Sequence, residues 1–218
     1  MIQGSTSHIT ADTAIIGGGI LGLWAARHAI RRGENVVLVD KRKLGSGASG
    51  GFLGALMPHM PDSWNIKKQL QYNGIKTLSK VTQELEEEVG LSCCFDRCGR
   101  IMPIPHEKLL TQVERRKTGA VENWDTQFEL TQIDEMSVPK GWMNAEIAVH
   151  GIQYDTLSAR ISPRAYMRAL EAYIRPRASI VEGVSVVGLN HGNNGVDIQL
   201  GNGEKISAGK AFVCNGWE

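Results

Sequence analysis

The stretch that decides the fold reads Ala14-Ile15-Ile16-Gly17-Gly18-Gly19-Ile20-Leu21-Gly22. An apolar run breaks into glycine and restarts with a helical pattern, which is typical of a strand–turn–helix that binds a dinucleotide. Gly17 would allow the sharp turn, Gly19 would leave room for a pyrophosphate, and Gly22 would let helix and strand pack closely. The amides of Ile20 and Leu21 lie at the predicted helix N-terminus, which favours an anion.

The context of this stretch supports the same interpretation. Residues 13–16 form a short apolar run that suits a buried parallel strand, and the pattern of residues 20–32 predicts a helix that ends at Gly33. Residues 36–39 predict a second buried strand, and Asp40 stands at its end. It lies about 20 residues beyond the glycines, where a carboxylate can accept hydrogen bonds from ribose hydroxyls. The alternative is an ordinary βαβ unit with a surface aspartate.

The segment after Asp40 indicates which dinucleotide is bound. It reads Lys41-Arg42-Lys43-Leu44-Gly45-Ser46-Gly47-Ala48-Ser49-Gly50-Gly51-Phe52-Leu53-Gly54. A nicotinamide-binding fold would continue into an amphipathic helix here, but so many glycines and serines disfavour one. We therefore predict a second loop whose backbone N–H groups lie against a long cofactor. The alternative, a flexible linker, fits poorly with the apolar residues 52–57 that follow.

Both glycine-rich motifs resemble the N-terminal region of the FAD-dependent D-amino-acid oxidase and glycine oxidase family. The second motif, continued through Ala55-Leu56-Met57-Pro58, is the more discriminating one. The closing segment Lys210-Ala211-Phe212-Val213-Cys214-Asn215-Gly216-Trp217 resembles the family's apolar strand that ends in a turn beside the flavin. The resemblance thus touches both ends of the chain, and it implies FAD as the cofactor.

The resemblance also implies a role for individual residues. Gly17, Gly19 and Gly22 would lie near the pyrophosphate, together with the helix start at Ile20 and Leu21. The remaining expected contacts are Asp40 and Lys41 with the adenosine ribose, Ala48 and Ser49 with the phosphates, Phe52, Leu53 and Gly54 with the flavin ring, the backbone of Val184 with adenine, and Gly216 with the turn beside the flavin.

Composition fits an enzyme rather than a nucleic-acid-binding protein. The chain has 218 residues, with 24 Lys and Arg against 23 Asp and Glu, so the charge is nearly balanced. This balance predicts no nucleic-acid partner. We expect a cytoplasmic protein with no membrane span, because glycines interrupt the apolar stretch that begins at Ala14. The cysteines Cys93, Cys94, Cys98 and Cys214 complete no zinc pattern, so we expect no metal and interpret them as a structural thiol cluster.

The pattern along the chain predicts an α/β protein, a Rossmann-like FAD-binding domain with an inserted, partial antiparallel α+β substrate domain. Residues 1–60 and 161–218 are assigned to the discontinuous FAD-binding domain, 61–90 to a long connecting helix and 91–160 to the partial substrate domain. Within these parts, residues 107–118 predict a short helix and Ser162-Pro163 a helix start. Residues 179–189 predict a strand, and Asn193-Asn194-Gly195 a hairpin turn.

The catalytic candidates are His59 and Arg160. His59 follows the second glycine motif, so it could donate a hydrogen bond to the flavin or contact the substrate, or it could cap a turn. Arg160 and Arg164 flank Ser162-Pro163, and a guanidinium suits a substrate carboxylate; the alternative is an ion pair at a helix start. Tyr154, Asp155 and Arg100 are open to the same two interpretations.

The family resemblance implies hydride transfer from the α-C–H bond of a small amino acid or secondary amine to flavin N5. In that family the carboxylate-binding arginine and a second glycine-rich cofactor segment follow the position of Trp217, whereas this chain ends at Glu218. We therefore expect a chain that lacks the C-terminal part. A partner subunit or self-association would then cover the exposed apolar surface. The alternative function is a catalytically silent FAD- or ADP-binding subunit that needs a partner chain.

Overall fold

The computed structural model describes residues 8–134, 137–192 and 195–217. In chain order the strands are β1 (His8–Ile16), β2 (Val36–Asp40), β3 (Gly54–Leu56), β4 (Arg100–Pro103), β5 (Leu130–Ile133), β6 (Ile152–Asp155), β7 (Ala159–Ile161), β8 (Ser179–Glu182), β9 (Val186–Gly192), β10 (Gly195–Leu200) and β11 (Lys205–Val213). The helices are α1 (Ile20–Arg31), α2 (Ile66–Val89), α3 (Leu110–Asn123) and α4 (Pro163–Ile174). Within the described ranges, no helix combines the length and apolar character that crossing a membrane requires.

The chain divides into two compact units. The large-sheet unit comprises Met1–Phe52, Leu85–Cys93 and Ser162–Glu218, and the small-sheet unit comprises Leu53–Glu84 and Cys94–Ile161. The predicted α/β class with a parallel sheet core is confirmed by the large-sheet unit. The functional assignments of the two units, to cofactor and to substrate, remain predictions.

A six-stranded sheet organises the large-sheet unit, in the order β8-β2-β1-β11-β10-β9. Strands β8, β2, β1 and β11 run parallel, and β10 and β9 continue the sheet in antiparallel pairing. The carboxyl ends of β1 and β2 lie side by side, because Ile16 is paired with Val39 and also with Val213 of β11. Ligands of such sheets bind beyond the carboxyl ends of the strands.

Local sequence explains the first βαβ elements. Residues 36–39 of β2 are all buried, as expected for a strand inside a parallel sheet. Helix α1 buries Gly22, Leu23, Ala26 and Ala29 on one side and carries Arg31 in its last turn, where the helix dipole favours a cation. The predictions for residues 13–16, 20–32 and 36–39 are therefore confirmed to within the ends of the elements.

Two antiparallel sheets build the small-sheet unit. Strands β4, β6 and β5 form one in that order, which confirms the predicted antiparallel layer, and β3 pairs with β7 in the other. The core includes Tyr72 of α2, whose ring stacks on Trp124 with the ring centroids 6.4 Å apart. Gly119 of α3 approaches the Pro61 carbonyl so closely that a Cβ there would lie 2.6 Å from the oxygen.

Several element boundaries differ from the predictions. Residues 179–189 do not form one strand: the chain turns at Gly183, whose φ is +78°, so β8 joins one edge of the large sheet and β9 the other. The helix predicted over 107–118 becomes a single 3-10 turn, Glu107–Leu109, followed by α3, which extends to Asn123. Asn193 and Asn194 of the predicted hairpin turn lie outside the described residues, while the flanking β9 and β10 pair antiparallel.

The unit boundaries also differ from the predicted domain limits. Residues 53–60, assigned to the FAD-binding domain, belong to the small-sheet unit because β3 pairs with β7 through Gly54 opposite Ile161. The long helix predicted over 61–90 is present as α2, Ile66–Val89, but residues 85–93 at its end and just beyond it belong to the large-sheet unit. There the Glu88 carboxylate lies 2.6 Å from the guanidinium Nη2 of the buried Arg27.

All four cysteines are thiols rather than disulfides, and the predicted structural thiol cluster remains a prediction. Cys93 is buried and Cys214 is half-buried, whereas Cys94 and Cys98 are exposed. Across the described ranges, no three His, Cys, Asp or Glu side chains converge as a metal site.

Candidate functional site

The turn after β1 depends on glycine at position 17. Gly17 has φ of +108°, a conformation that L side chains rarely adopt, and its N–H donates to the Val39 carbonyl at 2.8 Å. A Cβ at this position would lie 2.5 Å from the carbonyl oxygen of Cys214. Residue 17 must therefore be glycine for the chain to pass between β2 and the end of β11.

Gly22 and Gly19 serve different purposes in the same turn. A Cβ on Gly22 would lie 1.8 Å from the Gly17 carbonyl oxygen, so its absence lets α1 start against the strand. At Gly19 the nearest atom to a Cβ would be the Ser49 hydroxyl oxygen at 3.4 Å, and its backbone is in an ordinary extended conformation. Packing and backbone geometry thus do not require glycine at position 19, and a side chain there would occupy the space in front of α1.

Asp40 joins the first turn to the segment that follows β2. One carboxylate oxygen, Oδ2, accepts a hydrogen bond from the Gly18 N–H at 2.6 Å, and Oδ1 accepts one from the Arg42 N–H at 2.7 Å. Each carboxylate oxygen has a second lone-pair position, so these bonds leave acceptor capacity for a ribose hydroxyl. The carboxylate therefore has a structural role in addition to the predicted ligand role.

The second glycine loop, residues 45–51, folds directly against the first turn. The Gly45 N–H donates to the Gly18 carbonyl at 2.9 Å, and the Ile20 N–H donates to the Ser49 hydroxyl at 2.9 Å. The loop contains one 3-10 turn, Ala48–Gly50, so the prediction that no stable helix forms here is confirmed. Both glycine-rich segments are thus held together by hydrogen bonds.

A cavity of about 730 Å³ opens between these segments and the carboxyl ends of the strands. Its size is in the range typical of small-molecule and cofactor sites. The predicted cofactor residues that line it are Gly17, Gly19, Ile20, Leu21, Asp40, Lys41, Ala48, Ser49, Val184 and Gly216. Residues from sequence-distant segments therefore meet around one cavity, all within the large-sheet unit.

Four predicted cofactor residues do not line this cavity. Gly22 packs against the turn behind it, and Phe52 is 84% exposed. Leu53 and Gly54 belong to the small-sheet unit, where Gly54 pairs with Ile161. The contacts predicted for these residues with a flavin ring remain predictions.

Sequence reasoning missed part of the lining. Ser185 and Val186 extend the contribution of Val184, and Cys214, Asn215 and Trp217 surround Gly216. Trp217 is 90% exposed at the cavity. The available signal was topology, because residues just beyond the carboxyl ends of β11, next to β1, and of β8, next to β2, lie at the same edge of the parallel sheet as the first glycine turn.

The electrostatics of the cavity favour an anion. Helix α1 has Gly19 as its N-cap, no side-chain cap from that residue and no acidic residue in its first turn, so the positive end of the helix dipole meets the cavity. Lys41 and Arg42 also line it. Burial raises the pKa of the Cys214 thiol above its ordinary value, so this group is neutral at physiological pH.

The catalytic candidates lie in the small-sheet unit and form other contacts. Arg160 lies on β7 and its guanidinium Nη2 is 3.1 Å from the Asp96 carboxylate, so it forms an ion pair, but across a β-bridge rather than at a helix start as the alternative interpretation predicts. The Nε of Arg100 is 2.9 Å from the buried carboxylate of Asp155. His59 is exposed, and its backbone N–H donates to the side-chain oxygen of Gln71 at 2.6 Å.

The cavity lies beyond the carboxyl ends of parallel strands, and this arrangement defines the fold class as Rossmann-type α/β. Sequence comparison gives the family: the model of the FAD dependent oxidoreductase family, DAO, matches residues 12–218. The chain belongs to this family. The resemblance stated from the two glycine motifs is therefore confirmed.

Similar proteins include several oxidoreductases. Human mitochondrial dimethylglycine dehydrogenase is 31% identical over 177 residues, which are 79% of this chain and 19% of that protein. Gamma-glutamylputrescine oxidoreductase of Escherichia coli K12 is 28% identical over 125 residues, 54% of this chain and 28% of that protein. The crystal structure of glycine oxidase from Geobacillus kaustophilus superposes with a TM-score of 0.82 at 20% identity, covering 95% of this chain and 56% of that one. The chain thus spans only part of the length of these proteins.

Proposed function

We propose that the cavity of the large-sheet unit binds FAD through its adenosine diphosphate half. The observation that carries this proposal is that the cavity is lined by the first glycine turn, the second glycine loop, Asp40 and Val184 together. The residues fit the group: a Cβ at Gly19 would fill the space in front of α1, and that helix turns its positive end to the cavity.

Each lining group has a proposed part in holding the cofactor. The first-turn amides of α1, with Ala48 and Ser49 opposite, bind the diphosphate. Asp40 accepts hydrogen bonds from the ribose hydroxyls, and Lys41 lies beside the ribose. The backbone of Val184 contacts adenine, and Gly216 forms the turn beside the flavin.

The proposed reaction is the oxidation of an amine or amino acid. When bound, FAD would supply flavin N5 as the acceptor of the hydride that leaves the substrate's α-C–H bond. The protein's part is to hold that bond in position and exclude water. Support comes from the family and from relatives named for dimethylglycine, gamma-glutamylputrescine and glycine.

Titration of the purified chain with FAD tests the proposed binding. We expect one FAD per chain, seen as quenching of flavin fluorescence and as a shifted flavin absorbance band, and competition by ADP. A chain that takes up no FAD and shows no flavin absorbance would refute it. Mass spectrometry of the denatured protein would show whether any flavin is covalently attached.

A second candidate function is binding of FAD or ADP without turnover, with a partner chain that completes the active site. The ion pairs of the two candidate arginines favour it, because Arg160 pairs with Asp96 and Arg100 with Asp155. Neither guanidinium can then bind a substrate carboxylate without first breaking its ion pair. Reduction of bound FAD by glycine, dimethylglycine or a D-amino acid in the isolated chain would exclude this candidate. Bound FAD that none of these compounds reduces would favour it.

A further inference from the structure

Arg164 lies outside the cavity and contacts the end of the second glycine loop. It is the second residue of α4, and its guanidinium Nε donates to the Gly50 carbonyl at 2.9 Å. The guanidinium carbon also lies 3.8 Å from the centroid of the Phe52 ring. One side chain thus holds the backbone at residue 50 and the ring at residue 52.

The exposure of Phe52 makes the second contact informative. A ring that is 84% exposed gains little from burial, so the hydrophobic effect does not fix its position. A guanidinium stacked on the ring face provides a cation–π attraction that works at an exposed site. The contact therefore orders a residue that burial leaves unconstrained.

Helix α4 also supports the other end of the loop. Met167 lies one turn beyond Arg164 and packs against Gly45, where a Cβ would be 3.2 Å from the terminal methyl group of the methionine. Gly45 in turn donates its N–H to the Gly18 carbonyl. Between the two supported ends lie Ala48 and Ser49, which line the cavity.

We propose that Arg164 is a positioning residue that holds the second glycine loop in the form that binds the diphosphate of the cofactor. This inference rests on the proposed function, since it assigns the loop to that ligand. Arginine suits the task because its planar guanidinium can donate from Nε within the plane while its face covers an aromatic ring. Lysine can place a charge over the ring but lacks the planar guanidinium group, so Arg164→Lys should keep the loop in place only partly.

Hydrogen exchange of the cofactor-free chain tests the loop directly. Arg164→Met should increase the exchange rates of the amides of residues 45–52 at least tenfold and leave those of β1 and β2 unchanged. Arg168→Met is the matched control, because Arg168 is an exposed arginine of the same helix. Equal exchange of residues 45–52 in both variants would overturn the inference, whether or not the chain binds FAD.

Ligand binding provides the second measurement. Loss of one hydrogen bond and one cation–π contact should weaken FAD and ADP about tenfold in Arg164→Met. Adenosine, which carries no phosphate, should bind the variant and the wild type equally in an NMR titration. An equal loss for adenosine would show general damage and would overturn the positioning role. A wild-type chain that binds neither FAD nor ADP would refute the proposed function instead, and the exchange data would still decide the state of the loop.

A double-mutant cycle separates the two contacts of Arg164. Phe52→Leu removes the ring and keeps an apolar side chain, and ADP affinity is the readout because the ring is not expected to touch ADP. We expect the two substitutions to be less than additive, because either one alone removes the stacking. Full additivity would mean that the ring and the guanidinium act independently, which contradicts the proposal.

Discussion

The Ser49 hydroxyl accepts a hydrogen bond from the Ile20 N–H, the first amide of α1, at 2.9 Å. The two residues are 29 positions apart, and the N-cap of the helix, Gly19, has no side chain with which to cap it. Ser49 thus caps α1 from a different loop. This single bond joins the two glycine-rich segments around the candidate ligand.

Removing this cap should affect both stability and binding. We expect Ser49→Ala to lower the free energy of unfolding by about 1 kcal/mol, the usual cost of losing an N-cap. FAD binding should weaken about fivefold to tenfold, because the lost hydrogen bond also holds the second glycine loop in place and about 1 kcal/mol corresponds to a change of this size in affinity. Urea unfolding and fluorescence titration measure the two effects.

Two controls make the test of Ser49 specific. Ser46→Ala removes an exposed hydroxyl that lines the same cavity, and it should leave stability within about 0.5 kcal/mol of the wild type. Ser49→Thr keeps the hydroxyl and should restore most of the stability. If Ser46→Ala and Ser49→Ala behave alike, Ser49 does not cap α1.

The glycines of the first turn should separate into structural and ligand-facing positions. Gly22→Ala places a Cβ 1.8 Å from the Gly17 carbonyl oxygen, so we expect a loss of at least about 3 kcal/mol of stability or failure to fold. Gly19→Ala meets only the Ser49 hydroxyl at 3.4 Å, so the variant should fold with near-normal stability and lose FAD binding. Thermal unfolding and FAD titration distinguish the two outcomes.

Gly74→Ala is the control for the substitutions of Gly19 and Gly22. Gly74 lies within α2, and a Cβ there would meet no atom within 4 Å. Gly74→Ala should stabilise the chain by about 0.5–1 kcal/mol, because alanine is the better helix former. If Gly19→Ala unfolds the protein as Gly22→Ala does, the ligand-facing assignment of Gly19 is wrong.

The ion pair between Arg27 and Glu88 should show an asymmetric response to mutation. Arg27 is 1% exposed and lies between the rings of Trp24 and Tyr173, each with its centroid 5.1 Å from the guanidinium carbon. Glu88→Ala leaves a buried cation without its carboxylate, so we expect the free energy of unfolding to fall by about 2 kcal/mol. This is less than for a fully buried ion pair, because Glu88 is partly exposed. Arg27→Met should cost less, since an apolar side chain suits the two rings.

The double variant Arg27→Met/Glu88→Ala tests this explanation of the ion pair. Once the cation is absent, the loss of the carboxylate should cost little, so the double variant should be more stable than Glu88→Ala alone in urea unfolding. A double variant whose loss equals the sum of the two single losses would show that the residues do not interact.

Glu34 should make the chain less stable in acid. Hydrogen bonds from the Thr13 hydroxyl, then from Arg32 and Lys210, lower the pKa of its carboxyl from the ordinary 4.5 to about 2. Because the folded pKa lies below the unfolded one, the stabilisation is fully present above pH 4.5 and is lost as the pH falls toward 2. The stability difference between the wild type and Glu34→Gln should therefore shrink over this interval.

Unfolding in urea at pH 6, 4 and 2.5 measures that pH dependence. Thr13→Val removes the largest cause of the lowered pKa of Glu34 while keeping the shape of a buried side chain. In the Thr13→Val background, the stability difference caused by Glu34→Gln should therefore depend less on pH. A difference between wild type and Glu34→Gln that stays constant from pH 6 to 2.5 would contradict the explanation.

Much of the large-sheet unit could be predicted because its signals are local. Strands β1 and β2 are short apolar runs, and α1 starts after glycines and ends at Gly33. The split of residues 179–189 was missed, because a strand pattern does not reveal that Gly183 sends its two halves to opposite edges of the sheet. Likewise, the pattern of α2 does not show that its last residues belong to a different unit from its first ones.

The sequence by itself determined the first glycine turn, the helix after it and the absence of an α-helix in residues 45–51, because backbone conformation and helix propensity depend on near neighbours. Only the tertiary structure decided that Ser49 caps α1, that residues 184–186 and 214–217 line the same cavity, and that Arg164 holds the loop at Gly50. These contacts join residues far apart in the chain, and their geometry is fixed when the strands pair and the helices pack rather than by any local pattern.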